Sequence, residues 1–394
     1  MWAASGACRL HARLAILPVE MRERMAYPQR PVDGPLARMG RGIRPWLILG
    51  VVCGGFSLHP AFVSAFWTRE YLPNILQQAA TNVILAVGMT FVIVTGGIDL
   101  SVGSVLALSG VALGMAATDR PPLFMAALAA APVAALAPLA LRRRGGPPWS
   151  IALAFVVALA VVTPAMAAVV RSSAGLGIAV AFALLVGLGC GLINGAVTAY
   201  GGIPPFVATL GMLTAARGLT VYATDGNSVS GLPRALGMVG GGAPLVLVAA
   251  AAVVSGVVAL SLTALGRSFL AVGGNRESAR LAGIDVRRVT LFAYLASGLT
   301  AAVAAIVLTA KFGLADTGAA SGAELNAIAA VVIGGTSLSG GQGSVLGSLV
   351  GALTIAVLNA GLVLVGVPDT MQGVAIGAVI VVAVLLDRIR RKGD

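Results

Sequence analysis

Charged residues are scarce, at 10% of 394, where an ordinary soluble domain has about 25%. Fourteen acids and 26 bases cannot give a chain of this length a polar coat, which excludes a soluble globule. Cysteine is nearly absent. Cys8, Cys53 and Cys190 are isolated, odd in number and without metal-like spacing, so they build neither a disulfide framework nor a thiolate site. His11 and His59 stand far apart without a metal-like partner, and no metal site is expected. The only lysines, Lys311 and Lys392, follow no G-x-x-x-x-G-K-S/T pattern, which excludes ATP hydrolysis by the usual phosphate-binding loop. No catalytic constellation is recognisable, and the chain is read as a non-enzyme without a cofactor of its own.

What is present is apolar. Hydrophobic residues make up 58%, and the mean hydropathy is +0.97. Glycine, at 52 residues, suits transmembrane helices, where small side chains let neighbours approach. Apolar runs near the length that crosses a bilayer are read at 46–64, 72–95, 101–118, 122–141, 148–170, 175–198, 206–223, 243–264, 290–310, 324–337, 345–366 and 370–386. The fold class is therefore an all-α polytopic helix bundle with about 10–12 crossings. Ten result if the pair within 121–171 is shallow.

The net charge of +12 could suggest nucleic acid, so its placement decides. The excess is confined to four hydrophilic stretches: 1–45 at +5, Arg142–Arg144 at +3, 267–288 at +3 and 387–394 at +2. With twelve crossings all four fall on one side, the positive-inside pattern of a membrane protein. Lipid is the implied partner, and no nucleic acid. Residues 1–45, rich in Arg and Pro and without apolar periodicity, read as a disordered cytoplasmic tail and not as a cleaved signal peptide. Residues 46–386 read as the transmembrane domain, and 387–394 as a second cytoplasmic end.

Two glycine-rich stretches echo each other. Gly96-Gly97-Ile98-Asp99-Leu100-Ser101 is matched by Gly334-Gly335-Thr336-Ser337-Leu338-Ser339, and each leads into a further apolar run. Gly-interrupted segments at corresponding positions of two halves point towards a translocation site. On this crossing count both lie on the same side, so an inverted repeat is not supported. Asp99 is an acid between two apolar runs, where a charge needs a cavity or a partner. Asp99 and Ser101 can terminate a broken helix and cap the next, or Asp99 can line a solute path. Gln78 and Asn82 share a helix face at i and i+4. They and Asn194 and Asn326 either bond a neighbouring helix or contact a polar solute. Candidate pathway residues are Gln78, Asn82, Gly97, Asp99, Ser101, Asn326, Thr336 and Ser337. Arg217 is read as snorkelling to headgroups, with pairing to Asp225 as the next choice.

The loop 267–288 contains a short helix. Asn275 is a good N-cap, Glu277 lies in the first turn, Arg280 near the end, and Gly283 fits the C′ position. Leu281 and Ile284 are available as apolar contacts. A helix of two turns is marginal alone and is expected to dock on something.

The stretch Ala86–Ser104, with Thr95-Gly96-Gly97-Ile98-Asp99-Leu100-Ser101, closely resembles the signature of the membrane permeases of ribose/xylose-type ABC sugar importers. Three further stretches agree in order: Gly201–Gly211 with Arg217-Gly218, Gly273–Ile284, and Ile328–Ser337. The resemblance covers roughly 70–390. It implies a permease of the bacterial inner membrane, both termini cytoplasmic, working as a homodimer or with a close paralogue. It implies a separate ATPase subunit that binds the ATP, and an extracytoplasmic sugar-binding protein that delivers the solute. The coupling segment would then comprise Gly274, Asn275, Arg276, Glu277, Ala279, Arg280, Gly283 and Ile284. The chain departs from the family pattern at 121–171, an apparent extra helix pair. Permeases for branched-chain amino acids or nucleosides share much of this architecture and stay open as readings, as does a proton-coupled secondary transporter built on Asp99.

Overall fold

The computed structural model describes residues 35–68, 71–118, 121–136, 148–172, 175–368, 371–378 and 381. Arg142–Arg144, the tail 387–394 and residues 1–34 lie outside the described residues. The chain divides into two units, 1–43 and 44–394. In the first, residues 35–43 are helical.

Among its described residues, the regular structure of the second unit is helical apart from one isolated bridge, Val229 with Ala315. Its elements are α1 (Pro45–Phe56), α2 (Pro60–Phe66), α3 (Tyr71–Val94), α4 (Val102–Thr118), α5 (Leu123–Ala134), α6 (Pro148–Ser172), α7 (Leu176–Ala199), α8 (Pro205–Thr224), α9 (Gly242–Val257), α10 (Ala264–Gly274), α11 (Arg276–Leu281), α12 (Val286–Phe312), α13 (Ala323–Ile333) and α14 (Val345–Leu364).

Among the described residues, seven helices are long and apolar enough to cross a membrane, or eight if the bent pair α4 and α5 is one span. The twelve apolar runs therefore do not each become a crossing helix. Among its described residues, the run at 122–141 holds the 12-residue α5, turned by 110° from α4. The run at 324–337 yields the 11-residue α13, because the glycines at 334 and 335 end it. The run at 46–64 is divided between α1 and α2 by a turn at 57–59, just before Pro60. Apolarity persists through these breaks while the backbone does not stay helical.

Helices α3 and α12 form the centre. Helix α12 packs on α7, α3 and α4, and α3 packs also on α14, α9 and α13. The α7 to α12 contact is a glycine seam. Gly187, Gly191 and Gly195 recur every four residues on one face of α7 and meet α12 at Gly298, Tyr294 and Leu291. A Cβ on Gly191 would lie 2.5 Å from the Tyr294 carbonyl oxygen, so only glycine permits this approach. Helix α6, by contrast, is apolar and largely uncovered by the rest of the chain, and it leans on α5.

Candidate functional site

The two echoing glycine stretches end their helices in the same way. At the end of α3, the Gly97 amide donates to the Val92 carbonyl and the Gly96 amide to Ile93, with Gly96 at φ 80°. At the end of α13, Thr336 donates to Val331 and Gly335 to Val332, with Gly335 at φ 85°. Each is a left-handed C-terminal cap that satisfies the last carbonyls and stops the helix. The non-helical segments that follow pack together. The Gly341 amide donates to the Val94 carbonyl at 2.9 Å. A Cβ on Gly340 would lie 2.9 Å from both Gly96 N and Gly273 O, and one on Gly341 would lie 2.7 Å from Gly274 Cα. Both breaks therefore converge on the Gly273–Gly274 pair that closes α10.

Helix α11 starts directly after that pair. Asn275 Oδ1 accepts from the Ser278 amide at 3.0 Å, so the N-cap lies where the sequence puts it. At the other end Gly283, with φ 81°, donates to Arg280, and Ile284 donates to Ala279. Glu277 and Arg280 form a two-pronged ion pair, with Nη2 to Oε1 at 2.6 Å and Nε to Oε2 at 3.1 Å. The Arg280 hydrogen bonds and charge hold the Glu277 carboxyl below its usual range and raise the guanidinium above its own. Ala279 is buried, whereas Arg276, Glu277, Arg280 and Leu281 are exposed. Ile284 turns inward against the core and leaves Leu281 as the exposed apolar contact. The expected single loop is thus partly embedded. Residues 264–274 form α10, capped by Thr263 and anchored by Phe269 and Val272 in the core.

Asp99 sits in the first break, fully enclosed. Its Oδ1 accepts from the Ser101 amide at 2.9 Å and the Ser101 hydroxyl at 2.6 Å, and its Oδ2 from the Ser297 hydroxyl at 2.7 Å. Asn194 Nδ2 donates to Ser101 Oγ at 2.9 Å. The Ser101 hydroxyl therefore donates to Asp99 instead of accepting from the first amides of α4, a correction to the simple capping expectation. The carboxylate thus ties the break, just before α4, to α12 directly and to α7 through the Ser101 hydroxyl. Gly97 packs beside Tyr294, where a Cβ would lie 2.7 Å from the phenol oxygen. Thr336 and Ser337 lie in the second break. The Ser344 amide donates to Thr336 Oγ1, and the Ser337 and Ser339 hydroxyls are 2.9 Å apart.

At the opposite end of α3 and α12 lies a cavity of about 490 Å³. Gln78 and Asn82 of α3, Asn326 of α13 and Asn359 of α14 line it, with Leu85, Phe312 and the loop around Asp316–Ala320. The sequence expectation joins eight residues in one pathway. The structure brings Gln78, Asn82 and Asn326 together here and places Gly97, Asp99, Ser101, Thr336 and Ser337 at or next to the two breaks. Asn359 was missed, because a lone amide in an apolar run has no signal until α14 packs on α3. Arg217 also sits near this loop. Its Nη1 donates to the carbonyls of Thr317 at 2.7 Å and Ala319 at 3.3 Å, so its partner is this loop and not Asp225. It holds the cavity rim from α8.

The family model described as "Branched-chain amino acid transport system / permease component" matches residues 138–384. The "Ribose import permease protein RbsC" of Bacillus subtilis (strain 168) is 36% identical over 365 residues, covering 90% of this chain and 94% of that protein. RbsC of Escherichia coli (strain K12) is 37% identical over 332 residues, covering 82% and 87%. The "D-allose transport system permease protein AlsC" of the same strain is 31% identical over 354 residues, covering 88% and 91%. No solved structure matches the chain.

Proposed function

Because the chain belongs to the family of ABC-importer permease components, we propose that it forms the membrane pathway for a simple sugar, ribose or a close analogue. It is a multi-pass protein of the bacterial inner membrane, and both termini and the α11 end face the cytoplasm in this reading. ATP is hydrolysed by a partner ATPase, an extracytoplasmic binding protein delivers the sugar, and a second permease copy completes the pathway within the lipid.

One observation carries the coupling: α11 is exposed, capped at both ends, and joined to the glycine contact where both broken helices meet. In this reading α11 sits in a cleft of the ATPase. Closure of the ATPase dimer displaces α11, and Gly273–Gly274 passes the displacement to Val94 on α3 and Gly341 before α14. Both helices reach the far cavity, so its shape follows the nucleotide state. The binding protein biases the cycle only through a higher affinity for the outward-open form. Glu277 remains ionised at neutral pH and partly offsets Arg280, which leaves Arg276 and Leu281 as the unpaired docking groups on this helix.

The test is charge reversal of Arg276 and Arg280 in the complex reconstituted in proteoliposomes. Uptake of labelled D-ribose is expected to fall at least tenfold, with loss of ATPase stimulation by the loaded binding protein. Unchanged uptake would remove α11 from the coupling path.

A further inference from the structure

The far cavity carries side chains whose polar atoms are not accounted for by the fold. Asn82 Nδ2, Asn82 Oδ1 and Asn359 Oδ1 expose almost no surface, to bulk water or to the cavity, and have no hydrogen-bond partner in the protein, so a change of side-chain rotamer is what brings them to a solute in the cavity. Both residues line the cavity, from two different helices, with Asn326 contributed by a third. A buried amide group left without a partner is destabilising, and an amide that served only to join helices would be bonded to its neighbour. Asn194, which does so through Ser101, is the contrast within the same molecule.

We propose that Asn82 and Asn359, with Asn326, form a solute subsite inside the permease that selects neutral polyhydroxylated compounds over zwitterionic amino acids. This inference rests on the importer reading above and goes further, because it places discrimination in the membrane subunit as well as in the binding protein.

The chemistry is that of the donor set. A carboxamide offers a donor and an acceptor side by side, and a hydroxyl group both donates and accepts, so adjacent hydroxyls of a sugar can engage one amide in both directions. Three amides around one space can hold several hydroxyls with no net charge. The aliphatic wall, Leu85 with Ile355 and Ala356, suits the C–H face of a sugar ring. At about 490 Å³ the space lies within the roughly 300–1,000 Å³ range of small-molecule pockets.

An amino acid fits poorly. The one charged residue lining the cavity, among those described, is Asp316, and it lies exposed in the loop between α12 and α13, accepting from Ser228 and the Gly318 amide. No Lys or Arg among the described residues lines the cavity, and the guanidinium of Arg217 at its rim is engaged by the Thr317 and Ala319 carbonyls, so an α-carboxylate would bear much of its desolvation without a free cation.

The experiment uses the full-length permease assembled with its ATPase in lipid nanodiscs, without binding protein, and saturation-transfer NMR with D-ribose, myo-inositol and L-leucine at millimolar concentration. Signals are expected for ribose and inositol and not for leucine. Asn82→Leu and Asn359→Leu should each reduce the ribose signal at least tenfold, whereas Asn82→Gln, which keeps the amide, should retain most of it and report an intact fold. Wild-type signals in both leucine variants, no ribose signal in the wild type, or leucine binding equal to ribose would each overturn the subsite. Uptake by the complete system is read separately. ATP-driven ribose uptake with a failed binding test removes only the subsite, and ATP-driven leucine uptake without sugar uptake removes the sugar reading on which it rests.

Discussion

Asp99 bonds on both carboxylate oxygens and sits in a backbone break, and these two facts set its role. Three hydrogen bonds from Ser101 and Ser297 converge on it, and it does not line the cavity. A positioning role and a proton-carrying role respond differently to substitution. Asp99→Asn keeps an oxygen for Ser101, and the Ser297 hydroxyl can rotate to accept from the new amide, so the cost should be about 1 kcal/mol. Asp99→Ala leaves the Ser101 and Ser297 donors buried without acceptors, at about 3 kcal/mol or more. Uptake by Asp99→Asn is therefore expected within threefold of wild type, with Asp99→Ala poorly folded in a thermal-melt assay of the detergent-solubilised protein. Loss of all uptake in a well-folded Asp99→Asn would instead support the proton-carrying reading. Asp99 was legible as a residue needing partners, whereas the partners were not, since Ser297 lies 198 positions away.

Among the elements, α11 was the most readable. Its N-cap, acidic first turn, basic last turn and glycine stop are all local, and a short helix is specified by its ends. The crossing helices were less so. Hydropathy marks an apolar run but does not record where glycine interrupts it, which is why 324–337 reads as a crossing and folds as the 11-residue α13, ended at Gly334 and Gly335. The α7 to α12 seam is likewise invisible to hydropathy and depends on volume. Gly191→Leu is expected to force those helices apart, at about 3 kcal/mol or more by overpacking. The variant should lose its monodisperse peak in size-exclusion chromatography, while the same change at Gly177, which has open space around it, should not.

For the whole molecule, the arrangement is one of two ends joined by long helices. Helix α12 runs from the α11 end to the cavity, 27 residues or roughly 40 Å at 1.5 Å per residue, and α3 spans the same interval. The glycine junction joins the α11 end to both broken helices. Gly341 has φ 76° and no room for a Cβ beside Gly274, so Gly341→Ala should disturb the link on both counts. The expected result in proteoliposomes is uncoupling, with ATP hydrolysis retained and ribose uptake reduced at least tenfold. A variant with both activities at wild-type level would show that the displacement travels elsewhere.

The sequence by itself determined the class of molecule and the location of the short capped helix α11. Scarcity of charge and its confinement to four stretches require a membrane solvent, and capping is written in neighbouring residues. Only the tertiary structure decided which amides share a cavity and which polar groups are already satisfied. It split the expected pathway into a sealed set of breaks around Asp99 and an amide-lined cavity at the far end. The reason is geometric. A hydrogen bond between residues 100 or 200 positions apart is set by how helices pack, and packing here rests on glycine seams whose partners are known only once the chain is folded.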